Sequence, residues 1–151
     1  MDEIQIAVAR LAGTEEGFRS QLYDDATGKL VKAPVGNATI GIGENVQSGW
    51  DRDFAIEVLN LRVTRLATWL SQFEWYTKCN AVRRSVLLDI AFNDGPTGLL
   101  HFYKMIAAIL ADNWAEAKDQ CMVKNPQLKG RYDHLGELMD TGILPGSVPA
   151  S

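Results

Sequence analysis

Apolar side chains recur at Ile4, Val8 and Leu11 with helical spacing, so residues 2–16 are predicted to form an amphipathic helix. Gly17 stands just past its end, where glycine commonly closes a helix. From about residue 22 to 46 that rhythm stops, and Gly28, Gly36, Gly41 and Gly43 join Pro34 and Asn37 among short β-branched runs. The stretch Ala38-Thr39-Ile40-Gly41-Ile42-Gly43 reads as a strand whose glycines let another backbone come close. The whole segment is predicted to be a small antiparallel sheet.

The helical rhythm returns after Asp51, a suitable N-cap. Ala55, Val58, Leu59, Leu66, Trp69, Leu70 and Phe73 form one apolar face of a long helix to about residue 72. Phe73-Glu74-Trp75-Tyr76 reads as a break. A second helix is predicted over about 78–92, with Val82, Val86, Leu87, Ile90 and Ala91 inward. Asp94-Gly95-Pro96-Thr97-Gly98 is a strong breaker. Helices follow at about 98–111, 113–122 and 128–141, and Gly142 ends the last one. Residues 143–151, with two prolines, read as a frayed tail. There is no internal repeat. The fold class this predicts is α+β: an N-terminal helix and a small sheet lobe over about 17–50, then a larger helical lobe over about 51–142. Ligands usually bind in the cleft between two such lobes. At 151 residues the chain is expected to be a single domain.

Charge narrows the choice of partner. The formal net charge is −4, with a pI near 5.1. That argues against broad nucleic-acid binding, which needs a basic footprint. It also argues against simple attraction to an anionic surface, so a polyanionic substrate must be held by local contacts. No stretch approaches the roughly 20 apolar residues of a membrane span. The acidic start, Met-Asp-Glu-Ile, does not read as a secretory signal, so synthesis as a soluble cytoplasmic chain is expected. Cys79 and Cys121 lie in no metal or redox motif and read as buried reduced thiols. His101 and His134 have no ligand spacing, and no metal or other cofactor is expected.

Two acids stand where chemistry is expected. Glu16 falls at the end of the first helix and Asp25 at the start of the sheet segment, a spacing that can bring two carboxyl groups to one cleft. Glycoside hydrolysis commonly uses such a pair, one protonated to donate to the leaving oxygen and one ionised. A helix C-terminus disfavours negative charge, which favours the protonated form of Glu16. Among 19 acidic residues, chance pairs are common, so the carboxylates alone do not decide the matter.

The residues around them add to the case. Glu16-Gly17, then Tyr23-Asp24-Asp25, then Thr39-Ile40-Gly41-Ile42-Gly43 together resemble the signature of the phage-type lysozymes, the endolysins of glycoside hydrolase family 24. The similarity continues through Val82-Arg83-Arg84, Ala91-Phe92-Asn93 and Gly95-Pro96-Thr97-Gly98 to Arg131, and spans about residues 4–143. The resemblance implies a lysozyme-like fold with the active site between its lobes. It implies Glu16, Asp25 and Thr39 as catalytic residues, the Tyr-x-Asp spacing favouring Asp25 over Asp24. It implies that Arg131 pairs with Glu16. The activity it implies is hydrolysis of the β-1,4 bond between N-acetylmuramic acid and N-acetylglucosamine in bacterial peptidoglycan. Glu16 would protonate the glycosidic oxygen, while Asp25 and Thr39 activate a water or Asp25 stabilises the positive charge. The implied protein is a monomer that acts on the cell wall, reached through a holin pore or as part of a virion. Two departures stand out: a longer loop between Asp25 and Thr39, and Glu44 where the family often has histidine.

Other residues carry two readings. Asn93 can bond a sugar acetamido group or cap a helix, and Phe92 can line the same subsite or pack in the core. Trp50 and Trp75, near helix ends, can stack on sugars, whereas Trp69 and Trp114 read as core. Arg83-Arg84 reads as a solvated helix end. Three rivals to the hydrolase remain. A lytic transglycosylase cuts the same bond but needs no water-activating pair. A non-catalytic peptidoglycan-binding virion component binds without turnover. A fold relative acting on chitosan is more remote.

Overall fold

The computed structural model describes the chain except residues 16–17, 25–26, 28, 32–38, 43, 47–48, 122–128 and 147–151; of Thr14, Glu15, Thr39 and Lys129 it describes the backbone alone. Asp2 opens helix α1, Glu3–Arg10, through a capping box. Its side chain accepts from the Gln5 amide at 2.8 Å, and the Gln5 side chain accepts from the Asp2 amide at 3.1 Å. Ala7 and Leu11 are fully buried, with Ile4 and Val8 packed beside them at the core's edge. After Arg10 the backbone widens into a π turn, Leu11–Glu15. Such turns are rare in helices and gather at functional sites. Helical backbone thus reaches residue 15, and the expected stop at Gly17 lies outside the described residues.

Among the described residues the sheet is smaller than the glycine-rich sequence predicts, and the described chain is mainly helical. Strands β1, Thr39–Ile40, and β2, Glu44–Asn45, pair antiparallel with Thr39 opposite Asn45 and Ile40 opposite Glu44. Within the run 38–43, predicted as one strand, the described residues turn back: Gly41, with φ 60°, follows β1 directly. A second hairpin precedes it. Tyr23 and Leu30 form an antiparallel bridge, flanked by Asp24 N to Lys29 O at 2.8 Å and Val31 N to Leu22 O at 3.0 Å. At its tip the Asp24 carboxylate accepts from the Thr27 amide at 2.9 Å and the Thr27 hydroxyl at 3.1 Å. Gly49, with φ 77°, ties the hairpin region to the start of the next helix. A β-carbon there would lie 2.0 Å from Ser20 O, so only glycine permits this approach. Trp50 N donates to the same oxygen at 2.8 Å.

Asp51 caps helix α2, Arg52–Leu70, by accepting from the Phe54 amide at 2.9 Å, as its sequence position predicts. Val63, Ala67 and Leu70 are buried, with Leu59, Leu66, Trp69 and Phe73 packed against them. The break predicted at 73–76 is itself a short helix, α3, Glu74–Thr77, because Trp75 and Tyr76 turn into the core. Trp75 stacks on Phe73 at 5.1 Å and is buried, which removes it as a sugar platform. Helix α4, Ala81–Leu100, is the centre of the molecule. Ser85 to Ala91 are all buried, so neighbours surround this stretch on every side. At Gly95 the backbone leaves helical geometry (φ 77°, ψ 160°), and Pro96 opens a final turn, in agreement with the breaker read from sequence.

The helix predicted over 98–111 is interrupted. Helix α4 ends at Leu100, the His101 and Phe102 amides bond back to Gly98 and Leu99, and helix α5 spans Tyr103–Leu110. Helices α6, Trp114–Cys121, and α7, Lys129–Thr141, complete the bundle. Arg83 is not a solvated helix end. Its Nε and Nη2 donate to the carbonyls of Met139 at 2.8 Å and Asp140 at 2.7 Å, and its guanidinium lies 3.8 Å from the Trp114 ring centre. Asn80 Nδ2 donates to Gly142 O at 2.9 Å. The cap and first turn of α4 thus satisfy carbonyls at and just past the end of α7, groups that a helix leaves without internal partners. Arg84 pairs with Glu3 at 3.4 Å. Cys79 and Cys121 are buried and unbonded to each other, and burial pushes their thiols up to about 11 and about 12. Thiols so held are poor nucleophiles near neutral pH.

Candidate functional site

Glu16 and Asp25, the two acids singled out from sequence, lie outside the described residues. Thr39 stands in β1 opposite Asn45, and Glu44 is exposed in β2. Asp24, the alternative to Asp25, is engaged in the turn with Thr27. Arg131, Asn93 and Phe92 are all described, and two of them meet at one side chain that the sequence reading passed over.

That side chain is Asp89, on the buried stretch of α4. It is 0% exposed. Its Oδ2 accepts from Arg10 Nη2 at 2.7 Å and its Oδ1 from Arg131 Nη2 at 2.7 Å. Asn93, one helical turn on, donates from Nδ2 to the Asp89 carbonyl at 2.8 Å and to Oδ1 at 3.2 Å. Arg10 Nη1 also reaches Ser85 Oγ at 3.3 Å, and that hydroxyl donates to Val82 O at 2.7 Å. One carboxylate therefore gathers a guanidinium from α1 and another from α7 onto α4. The two arginine side chains are only 10% and 15% exposed. Charge-assisted bonds of this length are the strong class. Removing one partner of a buried pair typically costs about 3–5 kcal/mol.

Helix α7 has a second fixed point beside the first. Tyr132, the residue after Arg131, donates its hydroxyl to Asp94 Oδ2 at 3.1 Å. Burial, with the nearby Asp94 charge, pushes that hydroxyl well above the usual tyrosine range. Phe92, also on α4, has the Arg62 guanidinium 4.9 Å from its ring centre. It faces a hollow of about 160 Å³ shared with Leu11 and Ala12 of the π turn, Phe18, and Ala55 and Leu59 of α2. Residues of the π turn and Phe18 thus line one hollow with Phe92. A second, apolar hollow of about 340 Å³ sits by the hairpins, walled by Leu22, Tyr23, Ile40, Val46 and Trp50. Among the described residues, no three His, Cys, Asp or Glu side chains cluster as a metal site would need, and no helix is long and apolar enough to cross a membrane.

Sequence reasoning did carry a signal for Asp89. It is a lone acid inside the run Val86-Leu87-Leu88-Asp89-Ile90-Ala91, and aspartate is almost never fully buried unless paired. Comparison with known proteins adds no relative: no family model matches the chain, and no curated protein does.

Proposed function

We propose that the chain is a phage-type lysozyme, hydrolysing the β-1,4 bond between N-acetylmuramic acid and N-acetylglucosamine in bacterial peptidoglycan. The observation that carries this reading is the shared anchor at Asp89. The arginine that the sequence resemblance pairs with the catalytic glutamate, Arg131, is bound to the same carboxylate as Arg10, the last residue of the helix that leads toward Glu16. The π turn between Arg10 and Glu16 is further support, since that geometry gathers at functional sites. The engagement of Asp24 with Thr27 favours Asp25 as the second carboxyl group.

In this mechanism Glu16 donates its proton to the leaving glycosidic oxygen as the bond to the sugar's anomeric carbon breaks. Asp25 and Thr39 hold a water that attacks that carbon, and the water's proton passes to Asp25. Arg131 orients the Glu16 side chain for that transfer. The fold that goes with this reading is the lysozyme-like α+β layout, with the hairpins over about 17–50 facing the helical part across the cleft. The substrate lies outside the cell membrane, and the delivery route that goes with this reading is a holin pore or a virion.

The test is turbidity loss of outer-membrane-permeabilised Gram-negative cells, wild type against Glu16→Gln. The swap keeps size and removes the transferable proton. Clearing by wild type alone, at equal helical circular dichroism, supports the glycosidase. Clearing by both removes Glu16 as the acid. Product mass then separates a hydrolysed end from the anhydro sugar of a transglycosylase.

A further inference from the structure

We propose that Asp89 is a positioning residue of this site: its buried carboxylate holds the Arg131 guanidinium in its working direction before substrate arrives. The proposal rests on the muramidase reading. An arginine side chain carries about 2 kcal/mol of rotamer entropy. If that freedom were frozen only as the transition state formed, the cost would appear in the barrier, and pre-organisation during folding removes it.

The geometry suits this role better than a purely structural one. Helix α7 is already docked on α4 by the neighbouring Tyr132–Asp94 bond at 3.1 Å and by Arg83 on the carbonyls of Met139 and Asp140. Beyond these docking bonds, what the Asp89–Arg131 contact adds is the direction of one guanidinium. Asp89 Oδ1 takes that guanidinium at 2.7 Å, and the other oxygen is occupied by Arg10, which stops the carboxylate from turning. The Asn93 amide leans chiefly on the Asp89 backbone carbonyl, at 2.8 Å, and a change of the Asp89 side chain leaves that bond in place.

The experiment measures initial rates on purified peptidoglycan for wild type, Asp89→Asn, Arg131→Gln and the double variant, well below each melting midpoint. Asp89→Asn is expected to lower kcat about tenfold or more, the scale on which small misplacements act. KM should stay within about twofold, because the substrate's own contacts are untouched. In the Arg131→Gln background the same change should have almost no further effect on kcat, since the group it positions is gone. Should Asp89→Asn fail to fold, Arg10→Gln/Asp89→Asn removes one charge of each sign from the cluster and is expected to show the same fall in kcat. An unchanged kcat in either folded variant overturns the proposal. So does an equal fall in both Arg131 backgrounds, which a general loosening of the fold would give. If wild type itself releases no fragments, the muramidase reading falls and the positioning role with it; if wild type cuts and the variants behave additively, only the positioning role falls.

Discussion

The middle of α4 and the turn of the β1–β2 hairpin use similar residue types to opposite ends. Ser85 to Ala91 are buried without interruption, while on the hairpin Ile40 is 60% and Ile42 107% exposed. The helical part is held by side chains that have no other place to go. The hairpin part is held by backbone bonds, a turn aspartate and a glycine pressed against Ser20. Apolar character thus decides the structure on one side and leaves it almost untouched on the other. The proposed cleft between these parts would have one wall set by packing and one set by hydrogen bonds.

The comparison is best broken where packing is densest. Leu87→Ala should cost about 2–5 kcal/mol, read as a lower urea midpoint, because a fully buried side chain leaves a cavity. A loss under about 1 kcal/mol would mean that α4 is not a rigid centre. On the hairpin side the weak point is the backbone. Gly49→Ala adds a β-carbon 2.0 Å from Ser20 O at φ 77°, and should cost about 1–3 kcal/mol, the scale of a strained backbone site. The smallest effect is expected for Ile42→Ser, within about 0.5 kcal/mol of wild type, since the side chain is already in water. A large loss there would reveal a hidden apolar contact and erase the contrast.

Much of the helical part was legible because its cues are local. Asp51 caps α2 as expected, and Gly95 breaks α4 inside the predicted breaker. What local cues missed was long-range. Helix periodicity cannot see that His101 closes one helix and Phe102 starts another, nor that Arg83 reaches the end of α7. The run 38–43 looked like one strand because Ile40 and Ile42 favour β structure, but Gly41 reverses the chain between them. In the candidate site, the sequence marked Arg131 and Asn93 yet not the residue that joins them. A periodicity reading scores each position as inward or outward, and Asp89 is polar and inward at once. Its partners come from positions 10 and 131, at opposite ends of the chain, and only the fold brings those ends together.

The grip of Asn80 and Arg83 on the end of α7 has a mechanical side. Two side chains from the cap and first turn of α4 hold the carbonyls of Met139, Asp140 and Gly142. Tension applied at residue 142 therefore passes sideways into the central helix and does not peel α7 away one turn at a time. The three bonds must shear together before α7 moves, so under load the last helix and the central helix yield as one unit.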